Sequence, residues 1–470
     1  MTNDAGDRAG RREFLRAGLG GLGSLALPGL MRMRAEAEEG ERGERTAVIL
    51  VWLRGGCSHL DTWDPKPGAP VEYRGEFGTI GTRVEGLRFS ELLPGQAGVA
   101  GKLNVLRSMA HTGGGHPAGS LQLLSGDPDP QDKLEPKYPD AMAVAHYLRS
   151  EGAGRRALPN YVGVNPVVGY DGFRIAGPAF LGATYEPFAV MGDPSAPGFR
   201  VPNVGVPEGE AGRLRARFGL RRSLDGVRRE LDRSGAGPAG VMDEFQAKAL
   251  DLMTSPEAAR AFDLEREDPR VRDRYGRHAW GQQCLMARRL VEAGVDLVTT
   301  TFDGPLCGRV ANWDDHAVNH HVFEALKHRA PYFDQAVSAL IEDVYARGLD
   351  RRVMVVVTGE FGRTPKITYV ASSGGGVASA AAGVVQPGRD HWPGAGSSLW
   401  AGGGMRTGQV IGATDKLGET VVDRRVGPQD FLATLYQHLG IDYERVTIPD
   451  RLGRPMPLVS GGRAIPELTG

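Results

Sequence analysis

Five short stretches of this 470-residue chain carry imidazole and carboxylate groups at spacings suited to a divalent cation. His59 and Asp61 lie in Cys57-Ser58-His59-Leu60-Asp61-Thr62-Trp63-Asp64-Pro65. His116 follows Gly113-Gly114-Gly115, with His111 just before that run. Asp314 and His316 lie in Asn312-Trp313-Asp314-Asp315-His316, with His320 beyond them. Glu360 and Arg363 belong to Gly359-Glu360-Phe361-Gly362-Arg363-Thr364-Pro365, and Asp390 and His391 to Gly388-Arg389-Asp390-His391-Trp392-Pro393. Neutral imidazole and carboxylate both donate lone pairs, and a set without thiolates suits Zn, Mn, Mg, Fe or Ca, singly or as a pair. His59, Asp61, Asp314, His316, Glu360, Asp390 and His391 are therefore the expected metal ligands. Such ions polarise a phosphoryl or sulfuryl oxygen and make hydroxide from water, and Arg363 would hold a nonbridging oxygen. Each stretch also has a plainer reading. Asp61 or Asp64 would close an Asx turn, Asn312 to Asp315 would cap a helix, and Glu360 would pair with Arg363 on a surface turn.

The elements that must position these residues show in the apolar pattern. The runs at 46–53 and 353–357 lack polar alternation, as strands buried on both faces of a parallel sheet do, 103–109 and 295–302 read as further strands, and a short strand is expected at 397–400. Helical spacing at 280–291, 333–344 and 428–439 completes a βαβ rhythm. This predicts an α/β fold: a doubly wound, mostly parallel central sheet with helices on both faces. The candidate residues follow strand ends, where such sheets collect ligands. A less regular stretch, 128–274, reads as a helical insertion or lid, and 371–388 reads as a flexible Gly/Ala/Ser loop. At the N-terminus, Arg11-Arg12-Glu13-Phe14-Leu15 precedes a mildly apolar run and Ala35-Glu36-Ala37. This predicts a twin-arginine signal over 1–37, a linker over 38–45, and export to the periplasm or beyond, with no transmembrane segment in the mature chain.

The formal net charge of −1 comes from 56 Lys+Arg against 57 Asp+Glu, which leaves no basic excess for nucleic acid. The three cysteines, Cys57, Cys284 and Cys307, have no CxxC spacing and cannot form a disulfide framework or a zinc–thiolate site. The 68 glycines favour many tight turns around a large core.

The order of motifs resembles the domain-of-unknown-function 1501 family of exported bacterial proteins. Besides the stretches above, Arg107-Ser108-Met109-Ala110-His111, Ala287-Arg288-Arg289-Leu290-Val291-Glu292-Ala293-Gly294-Val295 and Gly412-Ala413-Thr414-Asp415 carry the likeness, which covers nearly the whole chain. It implies an alkaline-phosphatase-like core with a metal cluster at the carboxyl edge of the sheet. In that superfamily's order, Asp314 and His316 stand for an Asp-x-x-x-His pair with altered spacing, Glu360 for a later Asp-His, and His391 for the last His. Two features depart from it. Arg54-Gly55 replaces the first-strand aspartate, and His116-Pro117-Ala118-Gly119-Ser120 offers no cysteine for formylglycine and no evident serine or threonine nucleophile. Hydrolysis by a metal hydroxide or by His116 as nucleophile is what remains. The resemblance thus implies a hydrolase of phosphate or sulfate esters acting on a small-molecule or polysaccharide substrate. The alternative is a non-catalytic extracellular protein of the same fold that binds a glycan or a partner.

Overall fold

A computed structural model describes residues 45–150, 156–206, 209–218, 247, 249–304, 306, 312–376 and 378–469. The segment expected as a twin-arginine signal, nearly all of the linker, and Cys307 lie outside them.

The apolar runs form the centre of an eight-stranded sheet. Its strands are β1 (Ala47–Leu53), β2 (Leu103–Met109), β3 (Tyr161–Val164), β4 (Phe188–Val190), β5 (Leu297–Phe302), β6 (Val353–Thr358), β7 (Gly396–Gly402) and β8 (Val410–Ile411), in the order β8-β2-β7-β6-β1-β5-β3-β4. Seven strands point the same way and β7 alone runs against its neighbours β6 and β2. Side chains of successive β1 residues enter opposite faces. Ala47, Ile49, Val51 and Leu53 join one core cluster, while Val48, Leu50 and Trp52 join the other.

Helices cover both faces, as the βαβ pattern requires. Helices α3 (Ala279–Glu292) and α4 (Val322–Ala346) pack with the first cluster through Trp280, Cys284, Phe333, Val337 and Val344. Helices α1 (His116–Ser125), α2 (Ala141–Ser150) and α5 (Pro428–His438) supply Leu123, Val144, Phe431 and Leu435 to the second. No described helix is long and apolar enough to cross a membrane.

Two segments differ in detail from their sequence reading. The stretch 128–274 is more than a helical insertion, because β3 and β4 come from it. They are four and three residues long, too short to register as apolar runs. Within 371–388, Val385–Gly388 pairs antiparallel with Thr368–Ala371, so the glycine-rich tract is framed by a hairpin.

A candidate metal centre of three imidazoles and a carboxylate

Four of the predicted residues meet at the carboxyl edge of the sheet. One ligand atom from each of His116, Asp314, His316 and His391 lies within 4.8 Å of the others. Asp314 Oδ1 is the hub, 3.2 Å from His116 Nε2, 2.9 Å from His316 Nε2 and 3.3 Å from His391 Nε2. His316 Nε2 and His391 Nε2 are 3.0 Å apart.

Each ligand arrives by a different route. His116 is the first residue of α1, after β2. The chain between them must fold tightly: a Cβ on Gly113 would lie 2.6 Å from the Gly119 nitrogen, so only glycine fits. The loop bearing Asp314 and His316 follows β5 and is laid across the end of β1, where the Trp313 N–H donates to the Arg54 carbonyl at 2.8 Å. His391 precedes β7. Because β7 runs backwards, its start lies at the edge where the other strands end, which brings His391 opposite His116.

On each imidazole the second nitrogen faces an acceptor. His116 Nδ1 is 2.7 Å from Glu360 Oε1, His316 Nδ1 is 2.7 Å from Asp390 Oδ1, and His391 Nδ1 is 2.7 Å from the Gly114 carbonyl. An acceptor at Nδ1 fixes the tautomer with its proton there and leaves the Nε2 lone pair free. Three such lone pairs then converge beside one carboxylate oxygen, and the donor set fits a cation. His116 Nε2 is a buried nitrogen with no hydrogen-bond partner among the described residues.

The electrostatics favour an ionised Asp314. Burial would raise its pKa, but the three surrounding imidazoles and the Arg363 charge hold it far below the usual carboxylate range. Burial works against protonated His116 and His316, yet Asp314, with Glu360 and Asp390 respectively, raises both. At His391 burial prevails over Asp314 and the pKa falls.

The remaining predicted residues take other places. Glu360, expected as a ligand, is fully buried behind His116, and its Oε1 also accepts the Gly55 N–H at 2.8 Å. Asp390 likewise stands behind His316. Arg363, expected to hold a substrate oxygen, is 1 % exposed. Its guanidinium is spent on Asp314 at 2.6 Å and on the carbonyls of Gly55, Gly56 and Arg389, and so positions the hub. His116, expected as a nucleophile, has Nδ1 on Glu360 and turns Nε2 towards Asp314 Oδ1, inside the cluster. His59 and Asp61 are not in the four-residue group. Asp61 forms a fully buried pair with Arg389 at 2.7 Å, next to Asp390, and His59 Nε2 contacts the Gly418 carbonyl at 2.9 Å. His320 turns towards Asp315.

Sequence reading missed Tyr170, whose ring stacks on His116 with centroids 3.9 Å apart and carries the Arg54 guanidinium 4.0 Å above it. It lies in the punctuated stretch after residue 128, where no periodicity singles it out.

Residues 45–469 match the family described as protein of unknown function (DUF1501). The chain belongs to the DUF1501 family. No curated protein matches the DUF1501 chain. Among solved structures it is similar to a sulfatase from Pseudoalteromonas sp., at 12% identity over 87% of this chain and 71% of that one, with a TM-score of 0.36. It is also similar to a protein in the alkaline phosphatase superfamily from Vibrio parahaemolyticus, at 10% identity over 85% and 67%, with a TM-score of 0.36. A phosphonate monoester hydrolase from Silicibacter pomeroyi matches at 13% identity over 90% and 76%, with a TM-score of 0.33.

Proposed function

We propose that this DUF1501 protein is an exported, metal-dependent hydrolase of phosphate or sulfate esters. One divalent ion would be held by His116, His316 and His391 through Nε2 and by an Asp314 oxygen. The observation that carries this reading is the division of labour on the imidazoles, with every Nδ1 on an acceptor and every Nε2 beside Asp314. Three imidazoles and one carboxylate suit Zn, Fe or Mn. Mg and Ca, which prefer all-oxygen shells, suit it less.

When bound, the ion would supply Lewis-acid polarisation of an ester oxygen and a more acidic water. The chain's own residues prepare the place. Arg363 keeps Asp314 ionised and aimed, while Glu360 and Asp390 make His116 and His316 stronger donors. Asp314, His316 and His391 retain 18%, 23% and 22% side-chain exposure, which leaves the cluster open to substrate. In the hydrolysis, the water oxygen bonds to phosphorus or sulfur, the ester P–O or S–O bond breaks, and the alcohol departs with the proton that water gives up.

The test is elemental analysis of protein purified without chelator or affinity metal, followed by turnover of aryl phosphates, phosphodiesters and aryl sulfates. About one ion per chain is expected, with cleavage of one ester class falling about 100-fold or more in His391→Ala. Full activity in metal-free protein would reject the reading. Export is tested by fusing residues 1–37 to a reporter, which should reach the periplasm only with the twin-arginine translocase present.

A further inference from the structure

Arg389 stands one residue before Asp390 and two before His391, and it is fully buried at 0% exposure. Its main chain ties the ligand-bearing loops together. The Arg389 N–H donates to the Asp315 carbonyl at 3.1 Å, between Asp314 and His316 in the chain, and the Arg389 carbonyl accepts Arg363 Nη1 at 3.2 Å. That same Arg363 guanidinium holds Asp314. Asp390 closes a further pair with Thr364: its N–H donates to Thr364 Oγ1 at 2.9 Å and its carbonyl accepts the Thr364 N–H at 2.8 Å. A shift at Arg389 is therefore passed to His391, to the Asp390 carboxylate behind His316, and to the Asp314 loop.

The side chain of Arg389 is what fixes its place. Asp61 Oδ2 lies 2.7 Å from Nε and Oδ1 3.4 Å from Nη2, across 328 positions of sequence. Nη1 donates to the Thr364 carbonyl at 2.9 Å and to the Pro365 carbonyl, and Nη2 donates to the Tyr73 carbonyl at 2.7 Å. All three guanidinium nitrogens are thus engaged. Asp61 is held in turn, with Ser58 Oγ donating to its Oδ2 at 2.5 Å and accepting its N–H at 3.2 Å. Both side chains of the ion pair are at 0% exposure, so the carboxylate is the countercharge that lets a guanidinium stand in this place.

We propose that Asp61 and Arg389 are a positioning pair for the metal centre, an inference that rests on the reading of that centre as a cation site. Asp61 lies outside the four-residue group and acts on it through Arg389. Stability alone does not account for the pair, because replacing buried ions by apolar side chains of similar volume is often neutral or stabilising. Direction does. A planar fork engaged at all three nitrogens fixes the angle at which the following residues leave, which an aliphatic side chain leaves open. The groups of a metal site must be held to within about 0.5 Å, and Asp390 and His391 follow the anchor directly. The loop 57–65, expected from sequence to supply a ligand through Asp61, would then serve the ion from further back.

The test compares the full wild-type chain with Asp61→Asn and with the double variant Asp61→Leu/Arg389→Met, which removes both charges. Zinc affinity is read by competition with a chromophoric chelator, and stability by melting in metal-free protein. The double variant should melt near the wild type yet bind zinc about tenfold or more weakly. Wild-type affinity in it would overturn the proposal. Asp61→Asn keeps the test readable where the double variant does not fold. In metal-free protein with isotope-labelled histidine, its His316 and His391 ring signals should move while that of His278, outside the cluster, stays. Signals of His316 and His391 identical to wild type, or a change shared equally by His278, would overturn the proposal and leave a merely structural pair. Wild-type protein that binds no zinc rejects the metal centre, whereas zinc binding of equal affinity in all three proteins rejects the pair alone. Zinc binding without ester turnover rejects the hydrolase and leaves the pair standing.

Discussion

At Glu360 a single buried carboxylate oxygen holds both an imidazole and a backbone amide, so the residue orients His116 and ties it to the end of β1. Glu360→Gln keeps the shape but removes the charge that strengthens His116 as a donor. Its metal affinity should fall about 10- to 100-fold, read by competition with a chromophoric chelator. Unchanged affinity would show that His116 does not bind through Nε2. Arg363 makes a different prediction. Its planar fork serves Asp314 and three carbonyls at 1 % exposure, which an ammonium cannot reproduce. Arg363→Lys should therefore cost about 3 kcal/mol in chemical denaturation even in metal-free protein. A stability like that of the wild type would return Arg363 to the substrate side of the site. At this scale the convergence of Asp314, His316 and His391 was legible because Asp and His crowd into short motifs beside strand ends. The positions of Glu360, Asp390 and Asp61 outside that group were not, since a carboxylate that enters a cluster and one that stands behind it look alike in sequence. Only the partner across the fold separates them, Arg389 for Asp61 and His116 for Glu360.

Among elements, the junction of β1 with the Asp314 loop is a tight constraint on the cluster. Gly55 has φ 103°, and a Cβ there would lie 2.6 Å from the Asp314 nitrogen and 2.9 Å from the Trp313 carbonyl carbon. Gly55→Ala should lower stability by about 2 kcal/mol or more and weaken metal binding as well, because the displaced backbone carries the hub carboxylate. Loss of stability with metal affinity intact would mean that the Asp314 loop is not seated by this contact. Strands β1 and β6 were evident from uninterrupted apolar runs, and β2 and β5 from mostly buried-type runs that carry Asn104, Arg107, Ser108 and Thr299 to Thr301. The reversed direction of β7 was not, because apolar content carries no information about which way a strand enters a sheet. That reversal is what delivers His391 to the edge.

Over the whole molecule, two histidines outside the cluster, the buried His278 and the half-buried His438, contribute to the response to acid. Burial pushes His278 and His438 down to about 4 from an ordinary 6.5. His278 Nδ1 accepts the Gly281 N–H at the start of α3, which requires the neutral ring, and His438 Nε2 contacts the Ala47 carbonyl at the start of β1. A folded pKa below the unfolded one gives stability that is complete above pH 6.5 and is lost as pH falls towards about 4. Each should contribute on the order of 2 kcal/mol over that window, and His438→Gln should flatten the fall of the melting temperature with pH. An unchanged pH profile in that variant would exclude His438 as a contributor. A bound ion should also stabilise the folded state, by about 2.7 kcal/mol at a hundredfold excess over its Kd, seen as a melting temperature that rises with added metal and drops with chelator. The overall α/β layering was legible because it follows from periodicity. The edge strands β3 and β4 were not, as each is too short to show as an apolar run.

The three imidazoles stand at positions 116, 316 and 391 of a 470-residue polypeptide. During synthesis His116 emerges well before Asp314, His316 and His391 exist, so a growing chain can offer a passing ion only one ring nitrogen of the set. Chelation strength therefore appears late. The ion that occupies the centre would be the one offered to the finished molecule, not the one that grips unfolded protein best.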